Sequence, residues 1–448
     1  MSTIKIAILG YGREGASVLT FLAKHPLCAS AEVWILDRNP KCKLPRCFGR
    51  TPLKKHLGKE YLQGLERFSI IFRSPGIPLL IPELQAASKK GTIITSSTIT
   101  FFEHCKSRII GITGSKGKST TATLIYEILR AAGFKTALAG NIGKPMLELL
   151  EQSSSLDFVV LELSSFQLQD LKRSPEIAVV LDIFPDHLDA HKDMDEYVEA
   201  KMSIAAFQKK FDTVFYFANN KLSKRIAQKS PGKKVFITPQ NDTALKNIEM
   251  AASVAHFLRC SHDIINKTIK SFQGLPHRLE RVRTLSSVLV SPPPDVKGKP
   301  KKHSCLLDFI DDSLATNPHA ATLGLQSLEE RYDFVVLLAG GHDTGLDYLP
   351  LASALKHFKK VRVILYGENR EKIYKAISES GVEIFFADDL RRATQLGFSL
   401  AKKIIADLHH AVRRPHVAIL LSPASKSFDQ FKDAYDRGRA FKTLASRL

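Results

Sequence analysis

The residues with the clearest capacity for chemistry lie in the segment GITGSKGKSTTATLI, residues 111–125. An apolar run leads into a glycine-rich bend, and a helical pattern begins near Lys118. Such a bend offers backbone N–H groups, a lysine charge and a hydroxyl to a phosphate group and its Mg²⁺ ion. The strict G-x-x-x-x-G-K-[ST] spacing requires a glycine at Ile112, whereas the nearest glycine is Gly111. The segment therefore predicts a phosphate-binding loop of a variant kind.

Acidic residues suited to hold that magnesium ion follow two later apolar runs. Glu162 ends the run FVVLE, and the stretch DIFPDHLDAH, residues 182–191, comes shortly after the run IAVV. Because the carboxyl ends of parallel strands face one ligand crevice, we expect these side chains to converge on the loop, with Glu162 as a metal or water ligand. The lack of a guanine-specific N-K-x-D element favours ATP over GTP. His187 and His191 have H-x-x-x-H spacing, but zinc sites need three or four ligands, so a zinc hydrolase is disfavoured.

An earlier glycine cluster also joins an apolar run to a helical pattern. Gly10, Gly12 and Gly15 fit G-x-G-x-x-G, and Asp37 follows where a ribose-binding acid is expected. The pattern is typical of NAD or FAD binding. The same turn offers N–H groups and a positive helix end to any other nucleotide diphosphate, or it serves only as a tight packing turn. The residues by themselves leave these three interpretations open.

Lys201 marks the limit of what spacing can assign. It lies in MDEYVEAKMSIAAF, a helical pattern with apolar residues at Met194, Tyr197 and Val198. Lysines in such patterns are usually solvated. Spacing alone therefore predicts an ordinary solvent-exposed helix lysine at this position.

The chain of 448 residues has the composition of a globular protein, with 44% hydrophobic and 25% charged residues. It has no apolar run of the roughly 18 residues that cross a bilayer and no signal-peptide pattern, so we expect a cytoplasmic protein without membrane insertion. Six scattered cysteines argue against a disulfide framework. The net charge of +20 favours anionic ligands. Nucleic acid or an anionic membrane face could bind loosely, although the lysines are spread along the chain.

Short β-branched runs alternate with amphipathic helical patterns in three segments, residues 1–105, 106–275 and 276–448. This alternation predicts an α/β fold of three domains, each an open, mostly parallel sheet covered by helices. We expect the first domain to be Rossmann-like, the second to be a P-loop-type ATP-binding domain and the third to be Rossmann-like.

Five motifs follow one another along nearly the whole chain: TGSKGKST, LELSSFQL, DHLD, GLPHR and LSPASKSFDQF. In this combination the sequence resembles the Mur ligases, whose phosphate loop has the T-G-x-x-G-K-[ST] spacing found here. The resemblance implies a monomeric enzyme that uses ATP and two Mg²⁺ ions to join D-glutamate to UDP-N-acetylmuramoyl-L-alanine in peptidoglycan synthesis. A carboxylate is phosphorylated, and the nitrogen of the amino acid then attacks the acyl phosphate. Nucleic acid has no part in this chemistry.

The resemblance also implies roles for individual residues. The expected catalytic residues are Lys118, His187 and Lys201, the last of them carbamylated so that a cation becomes a magnesium-binding anion. The expected metal ligands are Ser119, Glu162, His187 and Lys201. The expected ATP-binding residues are Thr113, Gly114, Ser115, Lys116, Gly117, Lys118, Ser119, Thr120, Asn247, His277, Arg278 and Asp312.

The same resemblance assigns the two remaining substrates. The first glycine cluster is expected to hold UDP rather than NAD. The expected UDP-sugar-binding residues are Gly12, Arg13, Glu14, Gly15, Asp37, Arg38, Ser74, Pro75, Gly76, Asn141 and Ser164. Thr316 and Ser427 are expected to hold the incoming amino acid.

Three positions depart from the family pattern. Leu314 in DSLATN and Thr344 in GGHDTG stand where the family has substrate-binding lysines, and only Asn247 represents the H-N-x-x-N element near the adenine. Recognition of two glutamate carboxylates then depends on another cation, for which Lys426 and His342 are candidates. A family member that uses a different amino acid is the alternative. The N-terminal glycine cluster disfavours the folate branch, which lacks a UDP-binding domain.

Two other classes of protein are less consistent with the sequence. A basic ATPase acting on nucleic acid is expected to carry aromatic residues interleaved with basic motifs, which this chain lacks. An NAD-dependent oxidoreductase leaves the second phosphate loop unexplained.

Overall fold

The structure is a computed structural model of the chain. The residues that it describes are 4–25, 31–45, 47–48, 51–185, 191–239, 245–272, 274–290, 300–409 and 411–448. The chain forms two compact units, Met1–Phe272 and Gln273–Leu448. Among the described residues, none of the helices has the length and apolar character needed to cross a bilayer.

The first sheet is wholly parallel, and short apolar strands build it. Its spatial order is β5-β2-β1-β6-β7, so the chain leaves the central strand β1 first to one side and later to the other. The strands are β1 (Lys5–Leu9), β2 (Glu32–Asp37), β5 (Lys54–Leu57), β6 (Ile70–Arg73) and β7 (Ile93–Thr95), with a small hairpin of β3 (Cys47–Phe48) and β4 (Thr51–Pro52) beside them. The helices are α1 (Arg13–Lys24), α2 (Pro82–Lys89) and α3 (Ser97–His104).

The second sheet is also wholly parallel, with spatial order β13-β12-β11-β8-β10-β9. Its central strands are buried on both faces, as continuous apolar runs such as FVVLE require. The strands are β8 (Arg108–Thr113), β9 (Thr136–Gly140), β10 (Phe158–Glu162), β11 (Ile177–Val180), β12 (Thr213–Phe217) and β13 (Lys233–Ile237). The helices are α4 (Lys118–Ala131), α5 (Ser165–Leu168), α6 (Met194–Ala206), α7 (Lys221–Ala227), α8 (Leu245–Phe257) and α9 (His262–Ser271).

The third sheet makes up the second unit. Its spatial order is β14-β15-β19-β16-β17-β18, and only the edge strand β14 runs antiparallel to its neighbour. The strands are β14 (Glu280–Val290), β15 (Lys301–Asp311), β16 (Phe334–Gly340), β17 (Val361–Tyr366), β18 (Glu383–Phe386) and β19 (His416–Leu421). The helices are α10 (Pro318–Gln326), α11 (Leu349–His357), α12 (Arg370–Ile377), α13 (Leu390–Leu408) and α14 (Ala434–Arg447).

The predicted fold class, three open and mostly parallel sheets covered by helices, is confirmed. The first two sheets share one hydrophobic cluster, which runs from Ile8 of β1 through Phe101 of α3 to Val159 of β10. This shared core explains why the first 272 residues form one compact unit. The domain boundaries at residues 105 and 275 remain predictions.

A buried ion pair also joins these two sheets. Arg73, at the end of β6, donates to the Asp170 carboxylate at 2.9 Å and to the carbonyls of Phe166 and Ile77. The side chains of Arg73 and Asp170 are only 1% and 13% exposed. Because a buried guanidinium without its counterion is costly, this pair constrains how the first sheet meets α5.

We predict that Asp170→Ala destabilises the protein by about 3 to 5 kcal/mol, since it leaves Arg73 buried and uncompensated. Lys24→Met is the matched control, because the Lys24–Glu151 pair is exposed on both sides and such pairs contribute about 0 to 1 kcal/mol. Urea denaturation followed by far-UV circular dichroism measures both. Equal unfolding midpoints for the two variants would contradict the prediction.

Candidate active site

The turn after β1 lies at the carboxyl edge of the first sheet, between β2 on one side and β6 on the other. We call this region the N-terminal crevice. Gly10 has φ +89°, a conformation that favours glycine, and its carbonyl accepts a 2.7 Å hydrogen bond from the Ser74 hydroxyl. A Cβ on Gly15 would lie 2.3 Å from the same carbonyl, so α1 packs directly on the turn. The Asp37 carboxylate accepts from the Tyr11 amide at 2.6 Å. The glycine cluster and Asp37 therefore meet at the carboxyl edge of the sheet.

Other residues that the resemblance assigns to the UDP-sugar are more exposed. Gly12, Arg13, Arg38 and Gly76 are exposed, and Pro75 is half-buried.

Two contacts tie the crevice to neighbouring elements. The Arg13 guanidinium donates to the carbonyl of Gly143, in the loop that follows β9. The Ser97 hydroxyl of α3 donates to the Glu14 carboxylate, and burial raises the pKa of that carboxyl. The crevice is thus joined to the second sheet within the same unit.

The phosphate loop connects β8 to α4 and is held from both sides. Ser115 donates through its amide to the carbonyl of Asp182 at 2.7 Å, and its hydroxyl donates to the carbonyl of Phe184 at 2.8 Å. The Lys118 ammonium donates to the loop carbonyls of Gly114 and Ser115 at 2.8 and 3.1 Å. The N-terminus of α4 then presents its N–H groups and positive end beside the loop. This arrangement matches a site for a phosphate chain.

The remaining residues of the loop differ in exposure. Thr113 and Ser119 are buried, whereas Thr120 and Gly117 are half-buried and Lys116 is exposed. The Thr113 hydroxyl donates to the carbonyl of Leu163, so that side chain fixes the loop to the strand beside it.

Glu162 meets the requirement for a cation ligand. It ends β10 opposite Ile112 of β8, which places it beside the phosphate loop. Its carboxylate is buried, and one oxygen accepts from the Asn141 amide at 2.9 Å. The second oxygen, Oε2, accepts no hydrogen bond from any described residue. A buried carboxylate oxygen without a donor is costly, and a Mg²⁺ ion shared with the hydroxyl of Ser119 would satisfy it.

Asp182, which follows β11, has a different role. Its carboxylate lies 2.5 Å from the Lys246 ammonium, and both side chains are largely buried. The bound lysine neutralises the acid, so Asp182 supports the loop rather than a metal ion. The sequence analysis missed Lys246; a buried acid at a strand end requires a counterion, but its source was not evident from the sequence.

Asn247, next to Lys246 at the start of α8, contacts the phosphate loop. A Cβ on Gly117 would lie 2.3 Å from the Asn247 amide oxygen, so the two residues are in close contact. Gly117 has φ +81°, which also favours glycine. The prediction that Asn247 lies at the ATP site is consistent with this position.

Lys201 is not the solvated lysine that spacing alone predicts. Its side chain is 1% exposed, and the ammonium lies 3.3 Å from the Thr113 hydroxyl and 3.2 Å from the Gly114 carbonyl. The ring of Tyr197, one helical turn earlier, faces the ammonium at 4.6 Å. Lys201 therefore faces the phosphate loop, which no sequence period reveals. His187, predicted to be catalytic and a metal ligand, lies outside the described residues.

The second unit has a separate cluster at the carboxyl edge of its sheet. Asp312 follows β15 and is buried; it accepts from the Ser422 hydroxyl at 2.7 Å and from the Leu279 amide at 3.3 Å. Burial raises the pKa of Asp312 to about 7, although the hydrogen bond from Ser422 and the charge of Arg278 act against it. Arg278 is exposed, whereas the ring of His277 is buried.

The buried ring of His277 supports the backbone of this cluster. Its Nδ1 lies 2.7 Å from the Asp311 carboxylate. A Cβ on Gly438 would lie 2.1 Å from the same nitrogen, so α14 packs against the ring. The position of His277 is thus set by contacts inside the second unit.

Comparison with known proteins identifies the family. The family model for the Mur ligase middle domain matches residues 112–273, and the model for the MurD-like Mur ligase N-terminal domain matches residues 4–96. The UDP-N-acetylmuramoylalanine–D-glutamate ligase of Acetivibrio thermocellus is 32% identical over 99% of this chain and 96% of its own length. The chain belongs to the Mur ligase family.

Further relatives have the same coverage. The enzyme of that name from Symbiobacterium thermophilum is 32% identical over 99% of this chain and 98% of its own length. Among solved structures, the ligase MurC of Thermotoga maritima has a TM-score of 0.55 at 15% identity and 99% coverage of both chains. The MurF ligase of Thermotoga maritima, solved in complex with ADP, has a TM-score of 0.52 at 14% identity and covers 100% of this chain and 96% of its own. These two likenesses show the fold alone.

In this Mur ligase the residues expected to bind the amino acid lie on two loops of the second unit. Thr316 is half-buried after β15, and Ser427 is buried after β19. Leu314 is half-buried and Thr344 is exposed. Neither Leu314, in the loop after β15, nor Thr344, in the loop after β16, carries a charge.

We predict that Asp312 makes stability fall as pH rises. Its pKa in the folded protein is about 7, above the unfolded value of roughly 3.9. Between these two pH values the folded protein holds a proton on Asp312 that the unfolded chain has lost, which stabilises the folded state. The stabilising contribution is complete near pH 4 and lost above pH 7. Asp312→Asn therefore gains thermal stability relative to the wild type on going from pH 5 to pH 8.

Asp407→Asn, at an exposed position of α13, is the charge-matched control. Thermal unfolding of the three proteins at both pH values measures the effect. A constant difference between the wild type and Asp312→Asn across this range contradicts the assignment.

Proposed function

We propose that this chain joins D-glutamate to UDP-N-acetylmuramoyl-L-alanine, with hydrolysis of ATP to ADP and phosphate, in peptidoglycan synthesis. The match over nearly the full length to ligases of that name carries the proposal. The phosphate loop, the available oxygen of Glu162 and the N-terminal crevice support it. Because its proposed substrates are ATP and a sugar nucleotide, we propose that the enzyme is cytoplasmic. We also propose that the monomer is the active form.

The proposed reaction has two steps. A carboxylate oxygen of the alanyl group attacks the γ-phosphorus of ATP, the bond to the bridging oxygen breaks, and ADP leaves. The amine of D-glutamate then attacks the acyl carbon and loses a proton, and the carbon–oxygen bond to phosphate breaks. Phosphorylation is needed because a free carboxylate has no good leaving group.

The residues of the loop would carry the first step. Lys118 would neutralise charge on the transferring phosphoryl group, from a position already fixed by two loop carbonyls. Ser119, Glu162 and His187 would hold Mg²⁺, which supplies positive charge to the phosphate oxygens when it is bound. Lys201, once carbamylated, would change from a cation beside Thr113 into an additional anionic ligand.

The three domains bounded at residues 105 and 275 divide the substrates in this proposal. The first would hold the UDP group against Asp37, and the second would hold the phosphates of ATP. The third would bring Asp312 and Arg278 to ATP, with Thr316 and Ser427 at the amino acid.

We expect phosphate release only when ATP, Mg²⁺, UDP-N-acetylmuramoyl-L-alanine and D-glutamate are all present. Lys118→Ala should lower the rate by about 10²- to 10³-fold, because a preorganised charge on the transition state is lost. A colorimetric assay of inorganic phosphate measures both.

Arg130→Ala is the control, since Arg130 is exposed at the far end of the same helix, α4. Phosphate release that does not depend on the sugar nucleotide, or full activity of Lys118→Ala, would remove the basis of the proposal.

Lys426 is the best candidate for the missing cation near the amino acid. It is exposed, forms no ion pair with any described residue, and precedes Ser427. Its backbone pairs with that of His342, whose amide donates to the Lys426 carbonyl at 2.8 Å. The ring of His342 is already engaged by the Glu368 carboxylate at 2.6 Å. Lys426 is therefore the more available of the two cations considered from the sequence.

We predict that Lys426→Met raises KM for D-glutamate roughly 10- to 100-fold, as expected for the loss of one charge-assisted contact, while KM for ATP is unchanged. Lys432→Met, at an exposed position shortly after in the chain, is the control. Initial rates over a range of D-glutamate concentrations measure the effect. An unchanged KM excludes Lys426 from the site, and a screen of other amino acids then tests the alternative substrate.

A further inference from the structure

A fully exposed phenylalanine projects from the turn between α6 and β12. Phe211 is 97% exposed, and Phe207, four residues earlier, is 48% exposed. Lys209 and Lys210 lie between them and are exposed as well. Single exposed apolar residues are common, but a large one this accessible beside adjacent lysines is not explained by packing.

Further cations surround this turn. The loop before β11 and the loop before β13 approach it and carry exposed basic side chains of their own. We call these loops together with Phe207 and Phe211 the amino-end patch. Its cations are Lys172, Arg173, Lys209, Lys210 and Lys229, together with Lys233 at the first residue of β13. In the part of the chain that the structure describes, none of the six forms an ion pair with an acid.

The acids in these loops are fewer than the cations, and among the described residues none of them pairs with a cation of the amino-end patch. The Asp212 carboxylate accepts from the Lys209 amide at 2.6 Å, and the Glu176 carboxylate pairs with Arg108 at 3.1 Å. The amino-end patch therefore presents a surplus of positive charge. The overall charge of +20 adds to this local excess.

A buried glutamine fixes the three loops relative to one another. The Gln208 side chain is 5% exposed, and its amide donates to the carbonyls of Pro175 and Thr213 at 2.9 and 3.0 Å. Its carbonyl oxygen accepts from the Ser230 hydroxyl at 2.6 Å. The amino-end patch is thus held in place before any ligand binds, which lowers the entropic cost of binding.

The amino-end patch lies away from the candidate active site. Its loops precede β11, β12 and β13, so they lie at the amino ends of parallel strands. The phosphate loop and Glu162 lie at the carboxyl ends of strands in the same sheet. A partner at the amino-end patch leaves the phosphate loop uncovered.

We propose that the amino-end patch binds the surface of an anionic lipid bilayer, with the lysines near the headgroups and Phe211 inserted between them. Peripheral binding requires basic charge together with an exposed apolar group, and the amino-end patch presents both at loop turns. Nucleic-acid sites that stack bases use several aromatic rings along a groove. The proposal does not depend on which substrates the ligase joins.

The test measures sedimentation of the full-length protein with vesicles. Vesicles that contain phosphatidylglycerol should bind it in a salt-sensitive manner, and vesicles of phosphatidylcholine alone should not. Lys209→Glu/Lys210→Glu should weaken binding about tenfold or more, since each lysine near an anionic surface contributes about 1 kcal/mol. Phe211→Ser should also weaken binding to these vesicles. The factor by which it does so should be nearly independent of salt, because salt does not screen insertion of an apolar side chain.

Lys356→Glu/Lys359→Glu is the matched control, because it makes the same charge change at exposed positions of the second unit. Far-UV circular dichroism and phosphate release establish that each variant is folded, and neither should change. Loss of binding in the patch variants alone supports the proposal. Absence of lipid-dependent binding, or an equal loss in the control, overturns it. It is also overturned if the protein binds single-stranded RNA and not vesicles, and if that RNA binding depends on Lys209 and Lys210.

Discussion

The amide of Ser115 donates a 2.7 Å hydrogen bond to the carbonyl of Asp182, and the candidate active site depends on this bond. It holds the phosphate loop across the end of β11, so closely that a Cβ on Gly114 would lie 2.7 Å from the Cβ of Leu181. Lys118 and Lys201 then donate to the same loop carbonyl, that of Gly114. Two cations and the N-terminus of α4 are thus concentrated at one turn of backbone, where a phosphate chain would complete the charge balance.

Two acids that follow the strands on either side of β8 have different roles. The presence or absence of a lysine beside each carboxylate determines its role. The Asp182 carboxylate lies 2.5 Å from the Lys246 ammonium, and the two form a largely buried ion pair without net charge. Glu162 has only an amide donor on one oxygen and leaves the other without a hydrogen bond among the described residues. Since a buried carboxylate needs a compensating charge, Glu162 is the acid that a divalent cation would stabilise. Two acids near the same edge of the sheet therefore differ in the chemistry that they can support.

Polarity of the strands separates two kinds of surface on the second sheet. All its strands run the same way, so the carboxyl edge collects the phosphate loop and Glu162, while the amino edge collects the turns that carry lysines and Phe211. Side chains at the first edge are held by hydrogen bonds to backbone, as a precise anion site requires. Side chains at the second edge extend into solvent from a backbone fixed by Gln208, which suits contact with an extended charged surface.

The sequence by itself determined the α/β class, the three sheets and the two glycine-rich turns, because β-branched runs, helical periods and glycines that require positive φ are local properties. It also placed Asp37 and Glu162 correctly at strand ends, since strand length and a following acid can be counted along the chain. Only the tertiary structure decided the positions of Lys201 and Lys246. Their roles depend on which strand lies beside their helices. The helical period does not distinguish a buried lysine from a solvated one, and it does not show which acid has a counterion. Burial and charge pairing arise between residues far apart in sequence, and for this reason the fold had to be known before these side chains could be assigned.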